Sequence, residues 1–192
     1  MFSVPGLASE LGVSTTPVRE ALLELANRGM IVPVRNRGFK VQASSLDDLE
    51  NVFQVRELLE RYAVVNVAKA RLKDPEQLEK LADAIAAAVK ARDVQGYLEG
   101  DRAFHEALVS RAGNQRLTKM IMDLRDDMRL YGINSADGEE RQRKSVQEHY
   151  DLIDLAVKGE TKAIAQLITS HIMDWLPIFR KAIASQIERR PF

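Results

Sequence analysis

The placement of helix breakers most limits the folds open to this chain of 192 residues. Seven of its sixteen glycines and prolines (Pro5, Gly6, Gly12, Pro17, Gly29, Pro33 and Gly38) fall within the first 43 residues. That stretch must be built of short elements joined by turns. From residue 44 onward, apolar residues recur at helical spacing over long runs with few interruptions. The pattern predicts a mostly α protein in two parts: a compact head over 1–43 and an antiparallel six-helix bundle over 44–192.

The bundle helices are bounded by cap signals. The first, from Ser45 or Asp47, carries acids in its opening turn. The second has Asp74 as its cap and Pro75 at its first helical position. The third ends at Gly113-Asn114 and the fourth near Gly132. The fifth follows a turn at Asp137-Gly138, and the sixth runs from Glu160 to about Ile187 with a kink expected at Pro177. The run "DAIAAAVKA" reads as close helix packing, and "GEERQRKS" and "LRDDMR" read as solvated faces or dimer salt bridges.

Composition narrows the function classes. There is no cysteine, which removes disulfides and thiolate metal sites and makes a reducing cytoplasm the natural setting. No signal peptide is visible, and no apolar run reaches the length of a membrane span. Lys+Arg and Asp+Glu are equal at 28 each, so the whole chain does not advertise a polyanion partner.

The head does. "LASELGVSTTPVREALLELANRGMI" reads as helix, tight turn, helix. Leu7, Ala8 and Leu11 form one apolar stripe, Gly12 ends the first helix and Val13 plugs the turn. Thr16 then caps a second helix with Pro17 at its first position and Val18, Leu22 and Leu25 on its buried face. "VPVRNRGFKV" follows as a hairpin, with strands Val32–Arg35 and Phe39–Val41 around an Asn36-Arg37-Gly38 turn. Arg19, Arg28, Arg35, Arg37 and Lys40 against Glu10, Glu20 and Glu24 give residues 1–43 a net charge of +2. A recognition helix with a basic wing can reach phosphates or a groove, with operator DNA the expected partner; the same shape also occurs in ordinary helical domains, and a basic hairpin can be merely solvated. The candidate contacts are Thr15, Thr16, Val18 and Arg19 at the front of the helix, and Arg35, Asn36, Arg37 and Gly38 in the wing.

The three histidines of the chain all fall on inward helix faces. His105 follows Asp101 by four, flanked by Tyr97, Phe104 and Leu108; His149 lies between Val146 and Ile153; His171 lies between Leu167 and Trp175. One inward histidine is ordinarily a satisfied core residue. Three, with an aspartate, form a candidate ligand set for a divalent cation: Zn²⁺, Ni²⁺, Mn²⁺ or Fe²⁺. Arg56 sits on the stripe made by Leu49, Val52, Leu59 and Ala63. A guanidinium facing inward needs an anion, either an acid on another helix or the carboxylate of a small ligand. Asn114 reads as a helix cap or as a pocket amide.

The head, with its Pro-Val-Arg-Glu-Ala-Leu run at 17–22 and the "RNRGFKV" wing, resembles the winged helix of GntR-family transcription regulators. It departs from the family pattern at Thr15, where an arginine usually precedes the Thr-Pro pair, and in beginning after the point where the family usually has another helix. The bundle resembles the FCD effector domain of the FadR-like branch, in its shorter, VanR-like form. Asp101, His105, His149 and His171 match that domain's Asp-x₃-His helix and its two later histidines. The resemblance implies a dimeric regulator in which a metal and Arg56 hold a small organic or sugar acid. The alternative is a metal-dependent enzyme on a helical bundle. It finds no His-Glu-x-x-His, no paired Glu-x-x-His, and only Asp151 and Glu106 as candidate bases. A purely structural dimerisation protein leaves the inward histidines and Arg56 without a purpose.

Overall fold

The computed structural model describes residues 1–27, 29–41, 45–126 and 133–188. The chain divides into two compact units, Met1–Ser45 and Leu46–Phe192.

In the first unit, Ser3 caps α1 (Val4–Leu11) by accepting a hydrogen bond from the Gly6 amide, and Gly12 closes it in the left-handed conformation at φ 68°. Helix α2 (Thr15–Asn27) follows. It begins earlier than the sequence suggests, so Thr16 lies inside its first turn and does not precede it. Strands β1 (Ile31–Val34) and β2 (Gly38–Val41) pair antiparallel, with Ile31 opposite Val41 and Val34 opposite Gly38. Phe2 adds a short bridge, exchanging two 2.8 Å backbone hydrogen bonds with Phe39. A small core of Ala8, Val18, Leu22, Ile31 and Phe39 holds the unit together. Leu11, on the apolar stripe of α1, is 61% exposed, and Val13, expected to plug the turn, is 49% exposed. Arg28 lies outside the described residues, as does the expected boundary at 43.

The second unit contains α3 (Leu46–Ala70), α4 (Glu76–Ala91), α5 (Val94–Ser110), α6 (Gln115–Asp126), α7 (Ala136–Lys158), α8 (Thr161–Met173) and α9 (Leu176–Glu188). Its core is a continuous cluster including Phe53, Leu78, Ile85, Phe104, Leu108, Leu152, Ile164 and Ile168, all fully buried. The caps are chemical: Asp93 accepts from the Gly96 amide ahead of α5, and Ser135 accepts from the Gly138 amide ahead of α7. Pro75, rather than Asp74, is the residue that precedes α4. Helices α4 and α5 pack closely at "DAIAAAVKA", where a Cβ on Gly100 would meet Ile85 Cγ1 at 3.0 Å.

The bundle departs from six helices at Pro177. A kinked sixth helix was expected, but the chain leaves α8 at Asp174 and starts α9 afresh at Leu176. Proline lacks the amide that would bond back across the junction, and it fits the first turn of a new helix, where that amide is not needed. The fourth helix is described to Asp126; its expected end near Gly132 lies outside the described residues.

Candidate functional site

Four side chains from three helices converge in the bundle core. Asp101 and His105 stand one turn apart on α5, His149 comes from α7 and His171 from α8. One ligand-capable atom from each lies within 4.8 Å of all the others. His105 Nε2 is 3.1 Å from His171 Nε2, and His149 Nε2 is 3.2 Å from Asp101 Oδ1. The three imidazole rings are fully or almost fully buried, with centroids 5.0–5.3 Å apart, and Phe104 meets His149 edge-on at 4.6 Å.

The surroundings set each group's protonation. Glu148 accepts a 2.6 Å hydrogen bond at His171 Nδ1, which leaves Nε2 as a lone pair facing the centre. Burial tends to raise the Glu148 pKa, but its bonds to His171 and Arg141 bring it down to about 2. Burial lowers His171 to about 4, and it lowers His105 well below the ordinary histidine value with Arg125 adding to the effect. Both rings are therefore neutral and able to ligate. Burial works to raise Asp101, but Arg125 and the imidazoles outweigh it and hold the carboxyl well below its usual range.

This donor set fits a divalent metal. Three imidazoles and one carboxylate converge on one space; among the described residues the fully buried His149 has no hydrogen-bond partner at Nδ1, and its Nε2 lies 3.2 Å from the Asp101 carboxylate. A buried polar atom without a partner is costly, and a cation among the four residues supplies one. His171 is already held by a carboxylate behind it, the arrangement that commonly orients metal-binding histidines.

A second layer of charge was not read from the sequence. Glu60, fully buried on α3, accepts from Arg56 at 2.9 Å and from Arg125 Nη1 at 2.7 Å. Arg125 also donates from Nη2 to Asp101 Oδ2 at 2.7 Å, which turns Oδ1 toward the histidines. Arg141 donates to Glu148 at 2.6 Å and to the His171 carbonyl at 2.9 Å, with its guanidinium 5.7 Å from the Trp175 ring centre. Arg125 and Arg141 belong to "LRDDMR" and "GEERQRKS", expected as solvated or dimer-facing runs; both are buried and paired inside the unit. Arg56 pairs with Glu60, one turn on along the same helix, and burial lowers its pKa.

Beside this cluster lies a small cavity of about 60 Å³, walled by Arg56, Tyr97, Asp101, Arg125, Trp175 and Phe179. Burial pushes the Tyr97 phenol up, so it stays protonated. Asn114 is not part of this wall. It is exposed, and its side chain accepts from the Leu117 amide at 3.1 Å as the cap of α6. The pocket-amide expectation is corrected accordingly.

In the first unit, Thr15, Thr16 and Arg19 are exposed at the front of α2. Val18 is not: it is 5% exposed and belongs to the core, so it cannot reach a base edge. Arg35, Asn36 and Arg37 are exposed at the tip of the hairpin, with Asn36 left-handed at φ 58°. Gly38 is partly buried at φ 100°, and a Cβ there would lie 2.1 Å from the Phe2 carbonyl oxygen. Its role is to let the wing close under the N-terminal bridge.

Residues 51–174 match the FCD domain, and residues 3–41 match the bacterial regulatory proteins of the gntR family. The chain belongs to the GntR family and carries an FCD domain. It is a bacterial transcription regulator, and the reading as a metal-dependent enzyme is set aside.

Relatives of this GntR regulator include the Nta operon transcriptional regulator of Aminobacter aminovorans. The two are 28% identical over 168 residues, covering 86% of this chain and 78% of the relative. The transcriptional repressor GlaR of Escherichia coli (strain K12) is 26% identical over 188 residues, covering 93% and 85%. Among solved structures, E. coli McbR/YncC superposes with a TM-score of 0.82 at 23% identity, over 94% of this chain and 86% of that one, a likeness of fold. No helix among the described residues is long and apolar enough to cross a membrane.

Proposed function

We propose that this regulator binds a divalent metal, Zn²⁺ or Ni²⁺ first and Mn²⁺ or Fe²⁺ next, through Asp101, His105, His149 and His171. The metal and Arg56 together hold a small organic or sugar acid in the adjoining cavity. Acid binding in the bundle then changes the affinity of a homodimer, in the cytoplasm, for operator DNA. Half-sites one helical turn apart would suit two winged heads.

The observation that carries this reading is the charge count at the site. Asp101, Glu60 and Glu148 balance Arg56, Arg125 and Arg141 within a set of contacts of 2.6–2.9 Å. These six charges cancel. A bound divalent cation leaves the cluster two charges positive in a dry core, where uncompensated charge is expensive. One carboxylate in the cavity offsets half of that excess, and a dicarboxylate all of it. The DNA side of the reading rests on exposed Thr15, Thr16 and Arg19 on α2 and exposed Arg35, Asn36 and Arg37 in the wing. Linkage requires that acid and operator alter each other's affinity by the same factor.

Elemental analysis of the purified protein, paired with a thermal-shift screen of organic acids with and without chelator, tests the proposal. Stoichiometric metal and acid stabilisation lost on chelation are expected. Protein that neither holds nor takes up a divalent metal would end the reading.

A further inference from the structure

Tyr97 lies in the cavity wall, 2% exposed, its ring tilted against Trp175 at 6.5 Å. Its phenol oxygen is 3.0 Å from Ser145 Oγ, which is itself fully buried. Ser145 Oγ is also 2.8 Å from the carbonyl oxygen of Gln142. A serine hydroxyl has one hydrogen, and a carbonyl oxygen has none. Were that hydrogen turned toward Tyr97, two oxygens 2.8 Å apart in a dry site would face each other with lone pairs alone. The serine hydrogen therefore goes to Gln142, and the contact with Tyr97 is made by the phenol's own hydrogen.

That is the only hydrogen the phenol has. What Tyr97 keeps for the cavity is lone pairs: it accepts and does not donate. Arg56 and Arg125, elsewhere in the wall, offer only donors. A carboxylate oxygen suits the guanidinium side and is repelled at Tyr97, whereas an alcohol O–H finds a partner there. We propose that Tyr97 is the specificity-determining residue for a hydroxyl group on the effector, so that the cavity selects hydroxylated carboxylic acids over their deoxy counterparts. Ser145 is the positioning residue that fixes the polarity of the phenol. The inference rests on the acid-binding reading above. A site built to satisfy a substrate hydroxyl discriminates strongly against the analogue lacking it, because its own polar group is then left unpaired.

The test is isothermal titration of the zinc-loaded full chain with matched acids: lactate against propionate, and malate against succinate. In at least one pair the hydroxylated acid should bind about tenfold or more tightly than its partner, the discrimination one well-placed hydrogen bond to a buried group supplies. In Tyr97→Phe the ratio should fall close to one, with zinc content unchanged. Ser145→Ala should also lower the ratio, because the released phenol hydrogen can turn to the cavity and serve a plain carboxylate. Circular dichroism checks the fold of both variants, and Ser145→Ala decides alone if Tyr97→Phe does not fold. A preference that arises only from chelation of zinc by the hydroxyl would survive both substitutions and overturn the proposal. Equal affinities in the unmodified protein would also overturn it, leaving the acid site intact. Absence of zinc-dependent binding by any of the four acids would overturn both readings together.

Discussion

Glu60 offers the sharpest test of the buried charge network. Its carboxylate is fully enclosed and carries two guanidinium groups: Arg56 on one oxygen at 2.9 Å and Arg125 on the other at 2.7 Å. Glu60→Ala removes both partners at once. Arg125 keeps Asp101, but Arg56 loses an anion from a site where its side chain is 7% exposed. Breaking a buried ion pair from one side costs about 3–5 kcal/mol, because a buried counter-charge is lost. For a chain of this size, each kcal/mol moves the melting temperature by about 2–4 °C, so a fall of roughly 6–20 °C is expected. Thermal unfolding followed by far-ultraviolet circular dichroism reads it, since most of the helix belongs to the bundle. Asp123→Ala is the control, because Asp123 is paired with Lys119 at an exposed site and should shift the melt by no more than about 1 kcal/mol. High concentrations of acetate should recover part of the Glu60→Ala loss by supplying an anion to Arg56. A melt within about 2 °C of the unmodified protein would refute the claim that this network is dry and tightly coupled.

Other outcomes follow from the same geometry. His149→Ala and His171→Ala should each lower bound metal in purified protein, and Glu148→Gln should weaken metal affinity by about 10- to 100-fold without removing a ligand, read by competition with a chelator. Gly38→Ala should cost at least about 1–3 kcal/mol, because its φ of 100° and the Phe2 carbonyl both exclude a side chain; the loss appears as faster amide exchange at Phe39, whereas Gly12→Ala, with open space around it, costs only about 1 kcal/mol. In operator titrations, Arg37→Ala should reduce the salt slope by about one, while Arg19→Ala should flatten the preference between sequences; a slope near zero in the unmodified protein would contradict DNA binding through the head.

The sequence showed the histidine cluster because its signal is local. Asp101 and His105 are four apart, and each histidine has apolar neighbours three or four residues away, so the inward direction follows from helical period alone. Arg56 was legible for the same reason. Its partner Glu60 carries the same signal, four residues on and on the stripe with Phe53 and Val67, but a charged pair at that spacing ordinarily decorates a solvated face. Arg125 and Arg141 were hidden more deeply. Both lie in charge-rich runs, and only the packing of α6 against α3 and α5, and of α7 against α8, decides which member of each run turns inward. Two of the differences between sequence and structure also have physical causes. Pro177 was placed inside a helix because the apolar period continues across it, though the missing amide makes a break the cheaper solution. Val18 was given both a core and a DNA role, and in a core of five buried residues it cannot serve both.

The chain's single tryptophan, Trp175, stands in the cavity wall and stacks on Phe179 at 5.4 Å. Any molecule that enters the cavity comes against the indole ring. The protein thus carries its own optical reporter: emission from one ring, with no background from other indoles and no attached dye, follows filling of the cavity in real time.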